Sequence, residues 1–271
     1  MLNNFFMIVG GQKCGTTSMH NWLDQHPDIC MSRPKEPKFF EIDYWKGEKW
    51  YRNEIFGHRI SKRDVYNIPH TGETFYGEAR VQNILVKYVP DRIEEYNPDT
   101  KIVIMIRNPI DRFISAWNHF KVMRPGREIR TLDQAITEGI ENFDLDCFDS
   151  EEKFYANLDP RGGPYGGRYL EHGYYIDLIR RYYDRFDTHI IVMDDIIDHP
   201  KWTYWKLLEF LGAKHFMPDF VHLNRKNRPP AGFGERKRLH TFYLNSVYEL
   251  SNFMQRDLNQ LWGIHDDTSL I

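Results

Sequence analysis

The chain reads as an α/β protein, a central and mostly parallel sheet flanked by helices in three layers, forming one domain over residues 1–271. Three observations predict this. The runs "FFMIV" (5–9), "KIVIMIR" (101–107) and "HIIVMDD" (189–195) are continuously apolar at their centres, the pattern of strands buried on both faces. Helix-like segments alternate with them, as parallel sheets with crossover helices require. Two of the runs end in a glycine turn or an Asn-Pro step, and such folds bind ligands outside the carboxyl ends of their strands.

In chain order, the strand at 5–9 feeds a glycine turn and then the helix-like "TSMHNWLDQH". A weaker strand is expected at "TFYGEA" (74–79). After "KIVIMIR", Asn108 supplies an N-cap and Pro109 a favoured first helical residue for "IDRFISAWNHFKVM". The amphipathic "YLEHGYYIDLIRRYYDRF" precedes the strand at 189–195, and "WTYWKLLEFLGA" follows it.

Composition narrows the function. With 271 residues, 41% of them hydrophobic, the chain can bury one full core. A net charge of −3 argues against a nucleic-acid partner. Cys14, Cys30 and Cys147 are far apart and lack any C-x-x-C spacing, so neither a disulfide framework nor a metal site is expected, and a reducing, cytoplasmic compartment fits. "MLNNFFMIVGG" lacks a positive n-region, and no stretch approaches the roughly 20 apolar residues of a membrane span. Neither a signal peptide nor a membrane anchor is expected.

The loop "VGGQKCGTTS" carries the first chemical signal. Gly10 and Gly15 have the separation of a Walker A P-loop, G-x-x-x-x-G-K-[ST], yet Thr16 stands where the lysine belongs and Lys13 lies inside the loop. Backbone N–H groups at Gly15, Thr16 and Thr17 would face out of a helix N-terminus, with the threonine hydroxyls as further donors. Ser18 completes this candidate anion site. A second site is suggested by Arg107 at a strand end and Ser115 about two helical turns on, a span that an arginine fork can bridge. Arg112 and His119 fall near the same helical face as Ser115.

These residues carry a resemblance. "GGQKCGTTS" resembles the 5′-phosphosulfate loop of sulfotransferases that use 3′-phosphoadenosine 5′-phosphosulfate (PAPS), and "RNPIDRFISAWNHF" is similar to their 3′-phosphate segment R-x-P-x-x-R-x-x-S. The resemblance implies a P-loop-like fold in which Lys13 stabilises the leaving phosphate. It also implies that Gly15, Thr16 and Thr17 cradle the 5′-phosphate and that Arg107 and Ser115 hold the 3′-phosphate. The product would be PAP, and no metal is implied. A sulfuryl group carries less charge than a γ-phosphoryl group, so a lysine and backbone dipoles can serve its loose transition state. The alternative is a small-molecule or nucleotide kinase, because "IIVMDD" ends in Asp194 and Asp195 like a Walker B strand.

For the general base, "RPKEPKFFE" (33–41) resembles the carbohydrate-type branch and points to Glu36. A surface salt bridge with Lys35 or Lys38 is the other reading of that glutamate. His20 and His119 are the reserve candidates. The chain departs from the branch at "GEARVQN", where Glu78 keeps its place but the lysine and proline of a Glu-Lys-[ST]-Pro stretch are missing. The late basic loop "LNRKNRPPAGFGERKR" resembles the cofactor-closing segment in character, giving Arg225, Lys226 and Arg228 as contacts. A small-molecule acceptor is expected, with a hydroxyl ahead of an amine as the group sulfated and a carbohydrate as the alternative. The acidic "EGIENFDLDCFDSEE" (138–152) suggests a cationic or amphipathic specialised metabolite, or else a solvated mobile loop. The glycine-rich "RGGPYGGR" would hinge a lid. The sequence leaves the oligomeric state open.

Overall fold

Apolar runs of five or six residues are too short for a helix buried on all sides but span a sheet, and the chain uses them so. In the computed structural model, which describes residues 1–57, 73–123, 126–157, 167–221 and 231–266, five strands form one parallel sheet. They are β1 (Phe5–Gly10), β2 (Ile29–Met31), β3 (Phe75–Ala79), β4 (Lys101–Ile106) and β5 (Thr188–Val192), in the order β2-β3-β1-β4-β5. Every residue of β1 is buried, as the central strand of a covered sheet must be. Ile8 pairs with Ala79 of β3 and Gly10 with Met105 of β4, which sets the carboxyl ends of these three strands side by side.

The connections leave β1 and β4 in opposite directions, the former toward β2 and the latter toward β5. This is the switch point at which open α/β sheets form a crevice. After β1 comes helix α1 (Thr16–Leu23); after β3 comes α2 (Val89–Tyr96); after β4 comes α3 (Pro109–Met123). Asn108 caps α3 as its sequence predicts, its side-chain oxygen accepting from the N–H groups of Ile110 at 3.0 Å and Asp111 at 3.3 Å. Helices α4 (Leu132–Glu141), α5 (Glu151–Ala156) and α6 (Tyr175–Tyr183) precede β5. Then follow α7 (Met193–Asp198), α8 (Pro200–Leu211), α9 (Phe233–Met254) and α10 (Leu258–Trp262).

Three sequence expectations need correction. The third strand ends at Val192, and Met193 begins α7, so Asp194 and Asp195 are helical rather than a strand terminus. The amphipathic stretch at 169–186 forms its main helix only from Tyr175, after a short 3-10 turn at Glu171–Gly173. The acidic stretch 138–152 is not a free loop. Its ends belong to α4 and α5, and Cys147 and Phe148 are buried in the core. Four of its seven carboxylates have cationic partners: Glu138 with Arg130 at 3.0 Å, Asp149 with Lys153 at 2.6 Å, Asp146 with Lys87 and Glu151 with Arg92.

Candidate active site

Backbone geometry makes the first anion site. Gly10 has φ 144°, and a Cβ there would overlap the carbonyl of Met105, so the chain can turn off β1 against β4 only as glycine. Gly15, at φ 90°, is the N-cap of α1, and its carbonyl accepts from the N–H of Ser18 at 3.0 Å and Met19 at 3.2 Å. A helix start leaves its earliest N–H groups without intrahelical acceptors, so those of Gly15, Thr16 and Thr17 present partial positive charge to the crevice. Thr16 is buried, while Lys13, Thr17 and Ser18 are half-buried. Lys13 stands at φ 76°, a left-handed conformation uncommon for a residue with a side chain and typical of strained functional loops.

The second loop is joined to the first. Arg107 Nη1 donates to the Lys13 carbonyl at 3.4 Å, and Arg112 Nη1 donates to the Gln12 carbonyl at 3.5 Å. Arg112 is fully buried and also donates to the Tyr169 carbonyl. It therefore braces the glycine loop from beneath. Ser115 is buried on α3. His119 lies one turn farther, half-buried, its ring packed edge-on against Phe120 at 5.4 Å. Sequence reasoning passed over Tyr175. Its buried hydroxyl donates to the Arg107 carbonyl at 2.9 Å, accepts from the Arg107 N–H at 3.3 Å and lies 3.5 Å from Cys14 Sγ. Burial pushes both the Cys14 thiol and the Tyr175 phenol up, so each stays neutral and acts as packing and hydrogen-bonding matter.

Glu36 lies on the neighbouring flank, after β2. Its Oε1 accepts from Lys35 Nζ at 2.8 Å, and its Oε2 is 3.5 Å from Arg80 Nη1. Arg80, just past β3, is the second residue that sequence reasoning passed over. Its Nε and Nη2 donate to the buried Glu41 at 2.7 and 2.5 Å, while its backbone N–H donates to the Ile8 carbonyl at 3.0 Å. Beneath it, Glu78 is completely buried, accepts from the Tyr51 hydroxyl and from Asn83 Nδ2 at 3.3 Å, and has its carboxyl pushed up to about 8, first by desolvation and then by the nearby Glu41 charge. Burial thus favours the protonated form of Glu78 near neutral pH.

His20 is buried on α1, with Nε2 3.3 Å from the Ser32 carbonyl and Nδ1 3.4 Å from the Asn21 side-chain oxygen. Burial pulls its pKa down, and it ties α1 to the segment leading to Glu36. Arg225, Lys226 and Arg228 lie outside the described residues, as does most of the glycine-rich "RGGPYGGR". The two aspartates that suggest a kinase are engaged elsewhere. Asp195 receives both guanidinium ends of Arg256 at 2.6 and 2.7 Å, and Asp194 accepts from the Trp262 indole at 3.2 Å. Among the described residues, no group of three or more His, Cys, Asp or Glu is arranged to hold a metal, and no helix is long and apolar enough to cross a membrane.

A five-stranded parallel sheet with a glycine loop opening onto a helix N-terminus at its switch point defines a P-loop-like α/β protein. The chain belongs to the sulfotransferase domain family, whose profile matches residues 4–227. It is 31% identical over 121 residues to human heparan sulfate glucosamine 3-O-sulfotransferase 6, covering 44% of this chain and 31% of that one. To bovine bifunctional heparan sulfate N-deacetylase/N-sulfotransferase 2 it is 33% identical over 115 residues, covering 42% of this chain and 12% of that one. The matches thus cover less than a third of the length of these relatives. A solved sulfotransferase from Alicyclobacillus acidocaldarius superposes with a TM-score of 0.70 at 28% identity, over 97% of this chain and 99% of that one.

Proposed function

We propose that the protein transfers a sulfuryl group from PAPS to a hydroxyl of a small-molecule acceptor and releases PAP. The observation that carries this reading is the joining of two loops at adjacent strand ends, with the Arg107 guanidinium bonded to the backbone of Lys13. One loop suits a 5′-phosphate on main-chain N–H groups, with Thr16, Thr17 and Ser18 adding hydroxyls. The other suits a 3′-phosphate on Arg107 and Ser115, and Lys13 suits the bridge between phosphate and sulfur. PAPS supplies an activated sulfuryl group: the acceptor oxygen bonds sulfur, the bond from sulfur to the bridging oxygen breaks, and its electron pair leaves with PAP. Lys13 and the helix N-terminus stabilise the charge that grows on that oxygen, and Glu36 takes the acceptor's proton.

Two observations bear on the acceptor. Four of the seven carboxylates at 138–152 are engaged by Arg130, Lys87, Arg92 and Lys153, which weakens the argument for a cationic acceptor. The exposed Lys38, two residues after Glu36, favours instead an acceptor bearing negative charge or many hydroxyls, while Arg33 is paired with Asp24 at 3.4 Å; a carbohydrate is the second reading. Relatives that act on heparan sulfate point the same way. The proposal includes a reducing, cytoplasmic compartment, in keeping with three buried thiols.

Calorimetry without magnesium tests the donor side, comparing PAP, AMP and ATP on the wild type and Arg107→Ala. PAP should bind more tightly than AMP, and Arg107→Ala should weaken PAP by about 10- to 100-fold, the worth of a charge-assisted phosphate contact. Tight binding of ATP alone, and only with magnesium, would instead support the kinase. Turnover of PAPS with p-nitrophenol, glucosamine, a heparan sulfate oligosaccharide and a simple alkylamine then sorts the acceptor class.

A further inference from the structure

We propose that Arg80 is the positioning residue for the base: it aims Glu36 and is itself aimed by Glu41. This rests on the reading of Glu36 as the group that takes the acceptor's proton. Glu36 has 38% of its side chain exposed, and the lysine on its Oε1 is the adjacent residue, a flexible point charge that sets no direction. Arg80 is different. Its side chain is 5% exposed, its guanidinium is planar, and two of its nitrogens make a parallel pair of bonds to both oxygens of Glu41. That geometry turns the remaining nitrogen, Nη1, toward Glu36 Oε2 at 3.5 Å.

Glu41 can orient Arg80 because it is itself immobilised. It is completely buried, and its backbone carbonyl accepts from Arg92 Nη1 at 2.8 Å and the Tyr88 hydroxyl at 3.0 Å. The Phe40 carbonyl accepts from the same Arg92 nitrogen at 2.9 Å. At its other end, Arg80 is fastened by its backbone N–H to Ile8, two residues before the Gly10 that starts the donor loop. A rigid line therefore runs from the donor loop through Arg80 to the base, fixing the distance between the group that serves the leaving phosphate and the group that serves the incoming hydroxyl.

A bland role is available to Arg80, that of neutralising the buried Glu41, and variants separate the two. In Arg80→Met/Glu41→Gln the pair is removed together, so no buried charge is stranded and the chain should fold, as thermal melting and PAP calorimetry would register. We expect its kcat to fall about 10- to 100-fold, the scale of an ångström-size misplacement, with acceptor KM and PAP affinity within about twofold of wild type. Rates are read with PAPS and the best acceptor of the screen, and with PAPS and water alone. In a Glu36→Gln background, changing Arg80 and Glu41 should cost nothing further, because there is no base left to aim. A double variant with wild-type kcat, or one whose loss multiplies in full onto Glu36→Gln, overturns the proposal. Wild-type kcat in Glu36→Gln, or a wild type that neither binds PAP nor cleaves PAPS, overturns the underlying reading instead.

Discussion

The two flanks of the site handle charge in opposite ways. On the donor flank, between β1 and β4, the cations Arg107 and Arg112 bond to backbone carbonyls of Lys13, Gln12 and Tyr169, and helix N–H groups add further positive potential. On the base flank, at the end of β3, Arg80 is enclosed by Glu41 and Glu36 with Glu78 buried below. The donor flank keeps its positive charge, since carbonyl partners orient a guanidinium without cancelling it, which suits the anion proposed for it. The base flank closes its charge internally. Ligand binding should therefore be dominated by one flank and pH response by the other.

The sharpest break of this comparison is Lys13→Ala. It should lower kcat by about 10²- to 10³-fold while PAP affinity changes much less, because the contact strengthens as the leaving oxygen gains charge. Steady-state turnover beside PAP calorimetry checks it, and equal losses in both would move Lys13 from transition-state to ground-state binding. The next effect belongs to the base flank. Burial pushes the Glu78 carboxyl from its ordinary 4.5 up to about 8, so folding takes up a proton between those values. Stability from this group is full below about pH 4.5 and is lost as the pH rises to about 8. The whole change is on the order of 5 kcal/mol by linkage. Glu78→Gln should flatten that slope in urea melts from pH 5 to 9; an unchanged slope would place the titration elsewhere. The smallest effect is Arg256→Met. Its pair with Asp195 is about a third exposed on both sides, and solvent screening limits its loss to about 0.5–1 kcal/mol. PAP affinity should not move, whereas a Walker B role for Asp195 would make magnesium-ATP binding respond.

The geometry of the two loops proposed for the donor was legible in the sequence because it is local: glycines, a helix start and an arginine closing a strand lie within two short segments. The base flank was not, because Arg80 meets Glu41 across 39 positions and nothing in "GEARVQN" names that partner. The acidic stretch at 138–152 was misread for the same reason, since Lys87 and Arg92 reach it from before β4. β2 is only three residues long, too short for a periodic signal, and it sits at the sheet edge. Helix α9 opens with a charged turn after a proline-rich stretch, which hid its 22 residues.

The hold of α10 on the site has a consequence for synthesis on the ribosome. Trp262 offers its carbonyl to Asn108 Nδ2 at 3.1 Å and its indole to Asp194, so the residue that caps α3 is fastened to one made about 150 positions later. Both loops proposed to hold phosphate leave the exit tunnel long before that brace exists. A nascent chain halted before residue 262 carries every group proposed for the chemistry, yet the second loop lacks its tether. The order of the second loop thus waits on residue 262, and a truncation that removes α10 would be felt at the cap of α3.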